Sequence, residues 1–136
     1  VHGGPGGTSC RLREHGRLGD ERPVIFYDQL GTGRSDRPAD TTLWTLPRAV
    51  AEVEAIRRAL GLREVHLLGQ SWGSAVAVEY ALTHRGAGVR SLVLTGPFLS
   101  TPRWIADANV LVAGLPADVR RTIATADSTG RYDTPA

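Results

Sequence analysis

The pattern of apolar and polar positions divides the chain into blocks with two different periods. "PVIFYDQ" (23–29) is a short apolar, β-branched and aromatic run that stops at the turn-rich "LGTGRSDRP", which predicts a buried strand. From residue 45 the period lengthens. Apolar residues recur at Leu46, Val50, Val53 and Leu60, with Ile56 near the same stripe, which predicts an amphipathic helix. Thr45 is placed as its N-cap, Pro47 falls in the first turn where its missing N–H is harmless, and Gly61 is placed to end it. "EVHLLG" (64–69) predicts the next strand, "SWGSAVAVEYALTH" (71–84) the next helix, and "VRSLVLTG" (89–96) a third strand. Strands and helices therefore alternate as in an α/β fold with a parallel sheet. After Gly96 the alternation stops: "STPRWIADANVLVAGL" and "PADVRRTIATA" predict two helices, each begun near a proline, with no strand between them.

Composition narrows the classes. At 136 residues and 41% hydrophobic content the chain has room for one core, and nothing marks a linker. All sixteen basic residues are arginine, and they are interleaved with the fourteen acidic ones to leave a net charge of only +2. So small a surplus argues against nucleic acid as a partner. The single cysteine, Cys10, excludes an internal disulfide, agrees with a reducing, cytoplasmic setting, and reads as an ordinary packed or surface thiol. No apolar run approaches the roughly eighteen residues of a membrane span, and no signal-peptide pattern opens the sequence, so no membrane partner is expected. Nothing here sets the oligomeric state. Val1 stands directly before a glycine-rich loop with no initiator methionine, which leads us to expect an internal piece of a longer enzyme.

Candidate chemistry enters at "GQSWG" (69–73), which fits G-x-S-x-G, the strand-to-helix turn that lifts a serine oxygen clear of a parallel sheet. Gly69 and Gly73 allow the tight turn, Ser71 is the candidate nucleophile, and the Trp72 N–H would point at a developing oxyanion from the helix N-terminus. The plainer reading is a tight turn with a serine N-cap. "VHGGPGG" (1–7) is a candidate for the second half of an oxyanion hole, because glycines let a backbone N–H approach a substrate carbonyl closely. A phosphate-binding loop would need a G-K-[ST] ending, and the chain has no lysine. "GTGRSD" lacks the third glycine of a dinucleotide fingerprint.

Taken in order, "HGGPGG", "DQLGTGRSD" and "GQSWGS" resemble the signature segments of proline iminopeptidase-like α/β-hydrolases, and "TGPFLSTPRWIADA" resembles the entry into that family's helical cap. The resemblance spans almost the whole chain. It implies a partial α/β-hydrolase core over residues 1–99, a parallel sheet with flanking helices, running into the start of a helical cap over 100–136. It further implies a serine aminopeptidase that releases an N-terminal proline or another small or apolar residue from short peptides with a free N-terminus, without metal or other cofactor. Carried over residue by residue, Ser71 would be the catalytic nucleophile and the N–H groups of Gly4 and Trp72 the oxyanion hole. His2, Gly3, Pro5, Gly69, Gly73 and Asp28 would support these motifs. Gly4-Pro5 is a candidate cis peptide bond, and Asp28 and Gln29 would hold the loop after the strand. The chain departs from the family at Leu30, where the proline-specific branch often has arginine, and at Ser74, where many relatives have glycine.

A serine nucleophile needs a base, and each of the four histidines is poorly placed for the task. His66 precedes Ser71 by five residues of strand, roughly 16 Å at ~3.3 Å per residue. His84 follows by thirteen residues of helix, about 20 Å at ~1.5 Å per residue. His2 belongs to the glycine loop, and His15 has no partner acid in view. Asp107, Asp118 and Asp127 are the acidic positions of the expected cap before the tail, and each reads as solvated or capping. In this fold the triad runs serine, acid, histidine along the chain, which places the last two after residue 136 and makes the isolated segment inactive. The strand ending at Val1 is expected between "VIFYDQ" and "VHLLG", so the segment alone would be partly folded or aggregation-prone. An esterase or carbon–carbon hydrolase on the same scaffold is the alternative enzyme, since fold does not set substrate. A non-catalytic truncated or interaction protein that kept the elbow for packing is the alternative outside enzymes. Epoxide hydrolases and dehalogenases are disfavoured because they attack with aspartate at the elbow.

Overall fold

The structure is a computed structural model, and it describes residues 1–132. The chain divides into two compact units, Val1–Leu99 and the residues from Ser100 onward.

In the first unit a 3-10 helix, Ser9–Asp20, precedes helix α1, Leu46–Ala59. Strand β1, Val65–Gln70, helix α2, Trp72–Thr83, and strand β2, Val89–Thr95, follow as one β-α-β unit. β1 and β2 pair in parallel, with Leu67 opposite Leu92 and Gly69 opposite Leu94. The local signals act as the sequence predicts: the Thr45 hydroxyl accepts the Arg48 N–H at 3.3 Å at the start of α1, and Gly61 takes a left-handed φ of 64° just past its end. Leu60, expected on the buried stripe, is 54% exposed because the helix has already ended there.

The core forms where one face of α1 meets α2 and β1. Ala49, Val50 and Val53 pack with Leu67, Val76, Ala77 and Tyr80. Tyr80 is fully buried, and its hydroxyl finds a partner in the Glu54 carboxylate at 2.5 Å. Arg57 and Arg58 also bond Glu54, and these bonds, Arg57 first and then Tyr80, hold its carboxyl far below the usual range, at about 2. A buried phenol is thus satisfied by a carboxylate that is itself neutralised.

The strand expected at 23–29 does not form. The segment has no regular structure and joins no ladder, and Ile25 and Phe26 are exposed. The physical reason lies in its neighbours. Val1 occupies the open edge of β1, its N-terminus bonded to the Leu68 carbonyl and its carbonyl to the Gln70 N–H, and His2 carries the contact on to Gln29. The Gln29 N–H goes to the His2 ring in place of a strand carbonyl, and Asp28 spends its carboxylate on the Ser9 and Arg34 N–H groups. Instead of three strands, the described residues hold a two-stranded sheet.

The second unit contains α3, Thr101–Ala113, and α4, Ala117–Thr129. Ser100 caps α3 by accepting the Arg103 N–H at 3.4 Å, and Gly130 closes α4 with φ 65°. Neither helix buries a residue.

Candidate active site

β1 ends at Gln70, α2 begins at Trp72, and Ser71 makes the whole turn between them. Its backbone stands at φ 50°, ψ −119°, a region that side chains rarely enter and that costs about 1–3 kcal/mol. Surrounding bonds impose this conformation. The Ser71 N–H donates to the Thr95 carbonyl at 2.9 Å, the Ser71 carbonyl accepts the Ser74 N–H at 2.8 Å, and the Ser74 hydroxyl donates to the Gly69 carbonyl at 2.9 Å. Ser74, the departure from the family pattern, is fully buried and satisfies a carbonyl that a glycine there would leave to another donor. The Ser71 side chain is left exposed and makes no capping bond.

The two flanking glycines are required by close packing. A Cβ on Gly69 would lie 2.4 Å from the Gly73 carbonyl oxygen, and one on Gly73 would lie 2.2 Å from that of Val1. The strand, the helix and the glycine loop therefore meet at backbone contact. The loop itself presses on the serine: a Cβ on Gly3 would come within 3.2 Å of the Ser71 Cβ. Gly4 has φ 147°, and the Gly4-Pro5 bond is cis. Trp72, as the first residue of α2, has no upstream helical carbonyl for its N–H.

Buried polar groups hold this arrangement. His2 is 1% exposed, and its Nε2 accepts the Gln29 N–H at 3.0 Å. The Gln29 side chain donates to the His2 carbonyl at 2.8 Å and accepts the Trp72 indole N–H at 3.1 Å. The Asp28 carboxylate accepts the N–H groups of Ser9 at 2.8 Å and Arg34 at 3.0 Å, so it ties both following and preceding loops to one point. Those two bonds, Ser9 first, lower the Asp28 carboxyl to about 2. Asp28 is a brace, committed on both oxygens.

The histidines are engaged elsewhere. His66 bonds the Ser91 hydroxyl at 2.8 Å, His84 contacts the Tyr80 carbonyl at 2.9 Å and stacks on the Tyr80 ring, and His15 contacts the Leu12 carbonyl at 3.0 Å. Among the described residues no histidine is bonded to Ser71, no group of three His, Cys, Asp or Glu could hold a metal ion, and no helix is long and apolar enough to cross a membrane. Asp107 pairs with Arg103 on α3, and Asp127 accepts from Tyr132.

Sequence reasoning missed a cleft of about 400 Å³ beside the loop, walled by Pro5, Leu30, Trp44, Glu52 and Trp72. Leu30 reaches it while its N–H donates to Glu52 at 3.3 Å. The Trp44 ring lies where a Cβ on Gly31 would stand, 2.4 Å away, a contact with no periodic signature.

Comparison with known proteins gives this geometry its context. A family model described as alpha/beta hydrolase fold matches residues 1–131. The proline iminopeptidase of Heyndrickxia coagulans is 48% identical over 133 residues, 98% of this chain and 46% of that protein. That of Lactobacillus delbrueckii subsp. lactis is 39% identical over 140 residues, 100% of this chain and 48% of that protein. Among solved structures, proline iminopeptidase from Mycobacterium smegmatis superposes with a TM-score of 0.85 at 36% identity, over 96% of this chain and 44% of that one. VinJ does so with 0.88 at 33%, over 98% and 46%. The chain spans about half the length of the curated relatives it matches.

Proposed function

Because the chain belongs to the α/β-hydrolase fold family, we propose that the protein it comes from is a serine aminopeptidase acting on short peptides through an acyl-enzyme at Ser71. The observation that carries this reading is the conformation of Ser71, exposed on a positive-φ turn between β1 and α2 with the glycine loop packed against it. In the reaction Ser71 Oγ attacks the carbonyl carbon of the first peptide bond, and negative charge collects on the carbonyl oxygen. The N–H groups of Gly4 and Trp72 stabilise that charge, the C–N bond breaks and the amine leaves with a proton from the base that activated the serine, and water, deprotonated by the same base, then cleaves the Ser71 ester to release the amino acid and restore the hydroxyl. Since no histidine among the described residues is bonded to Ser71, the base comes from outside them. The similarity to enzymes named proline iminopeptidase supports an N-terminal proline, or another small apolar residue, as the group released. Residues 100–136 are assigned, on the resemblance, as the start of the family's helical cap.

The test uses the whole enzyme. A fluorophosphonate should label it at Ser71, and Ser71→Ala should abolish labelling and lower turnover of a prolyl amide by at least about 10⁴-fold. Labelling that persists in the variant sinks the nucleophile assignment. N-acylation of the substrate should stop turnover, and equal rates on blocked and free substrates would move the reading to an esterase.

A further inference from the structure

The two N–H groups assigned to the oxyanion come from distant parts of the chain, and one side chain bonds to both segments. Gln29 is 6% exposed and uses every polar group it has. Its backbone N–H goes to His2 Nε2 at 3.0 Å, and its carbonyl accepts the Thr32 hydroxyl at 2.7 Å. Its side-chain oxygen accepts the Trp72 indole N–H at 3.1 Å, and its side-chain nitrogen donates to the His2 carbonyl at 2.8 Å. The amide orientation has a single solution, because an indole N–H only donates and a carbonyl only accepts.

The same logic assigns the His2 proton. Nε2 accepts from Gln29, so the ring proton sits on Nδ1, which donates to the Gly3 carbonyl at 2.8 Å. The 3.2 Å approach of the Gln29 side-chain nitrogen to Nδ1 then brings two donors together and is a contact, not a bond. The Gly3–Gly4 peptide is trans and planar, so its C=O and N–H point in opposite directions. A carbonyl drawn onto His2 therefore turns the Gly4 N–H the other way.

We propose that Gln29 is the positioning residue of the oxyanion hole, setting the Gly4 N–H through His2 and the Trp72 N–H through the indole without touching substrate. The proposal rests on the assignment of Ser71, Gly4 and Trp72 made above. A side chain that merely filled the core would affect stability. One that aligns two donors affects the step in which charge develops, since a small misplacement of such donors lowers rate steeply and leaves ground-state binding intact.

The experiment is steady-state kinetics on the whole enzyme with a prolyl amide, for Gln29→Leu, Trp72→Phe, the double variant and Gln29→Glu. Gln29→Leu keeps the volume and removes both side-chain bonds, and kcat should fall about 10- to 100-fold with KM within about two-fold of the parent. Trp72→Phe removes only the indole donor and should lower kcat less. The double variant should be no slower than Gln29→Leu, because both changes cut the same link. Gln29→Glu keeps an oxygen toward Trp72 but sets a carboxylate oxygen against the His2 carbonyl, and should also lower kcat with KM retained. If Gln29→Leu fails to fold, Gln29→Glu and Trp72→Phe decide alone. Unchanged kcat in folded Gln29→Glu, losses that multiply in the double variant, or a raised KM with kcat retained would each overturn the proposal. Turnover surviving Ser71→Ala would overturn the underlying assignment instead, and is read separately by the fluorophosphonate label.

Discussion

Around Ser71 the chain is held by backbone at contact distance and by buried polar side chains: Gly69 and Gly73 leave no room for a methyl group, and His2, Gln29 and Ser74 are buried and bonded. In α3 and α4 no residue is buried, and Trp104, Ile105, Val110 and Leu111 are exposed. α3 follows from local signals, a serine cap and a proline in its first turn, while α4 starts after Pro116 without a side-chain cap and ends at a left-handed glycine, Gly130. The elbow follows from contacts between segments far apart in the chain. The comparison teaches that a site needing one backbone geometry draws on small residues and satisfied polar groups from distant segments, whereas the boundaries of a helix are set by caps a few residues apart.

The contrast can be tested by substitution, beginning at the elbow. Gly73→Ala sets a methyl group 2.2 Å from the Val1 carbonyl oxygen and 2.7 Å from that of His2, both of them backbone atoms that cannot swing aside. Destabilisation of about 1–3 kcal/mol or more is expected by denaturant unfolding of the whole enzyme, with labelling of Ser71 lost in parallel. A variant as stable as the parent would show that the three segments are not in backbone contact.

A smaller effect is expected at the brace beneath the site. Asp28 has its folded-state pKa depressed to about 2 by N–H donors, so its bonds stabilise the folded form above the ordinary aspartate value of about 4. That contribution is lost as pH falls toward 2. Acid unfolding followed between pH 4 and pH 2 should be shallower in Asp28→Asn than in the parent. Identical slopes would remove Asp28 from the acid response.

The smallest effect belongs to the second unit. Ser100→Ala removes the α3 cap and should cost about 1 kcal/mol of helix stability, while Ser71 labelling stays at the parental rate. A cap whose loss slowed labelling would show that the two regions are coupled, and would break the distinction drawn between them.

The sequence by itself determined the elements whose signals are local. Thr45 and Gly61 bound α1, the G-x-S-x-G pattern placed Ser71 between β1 and α2, and a proline marked the start of α3, because capping, period and turn chemistry act within a few residues. The order of motifs carried the family as well. Only the tertiary structure decided what depends on partners. The run at 23–29 reads as a strand yet joins no ladder among the described residues, since pairing belongs to the neighbouring segment and the Gln29 N–H goes to the His2 ring. Gln29 reads, from the resemblance, as holding the loop after the strand, with no sign of which groups it bonds. Its bonds to His2 and Trp72 join positions 27 and 43 residues away, and a hydrogen bond across such separations leaves no period in the sequence to be read.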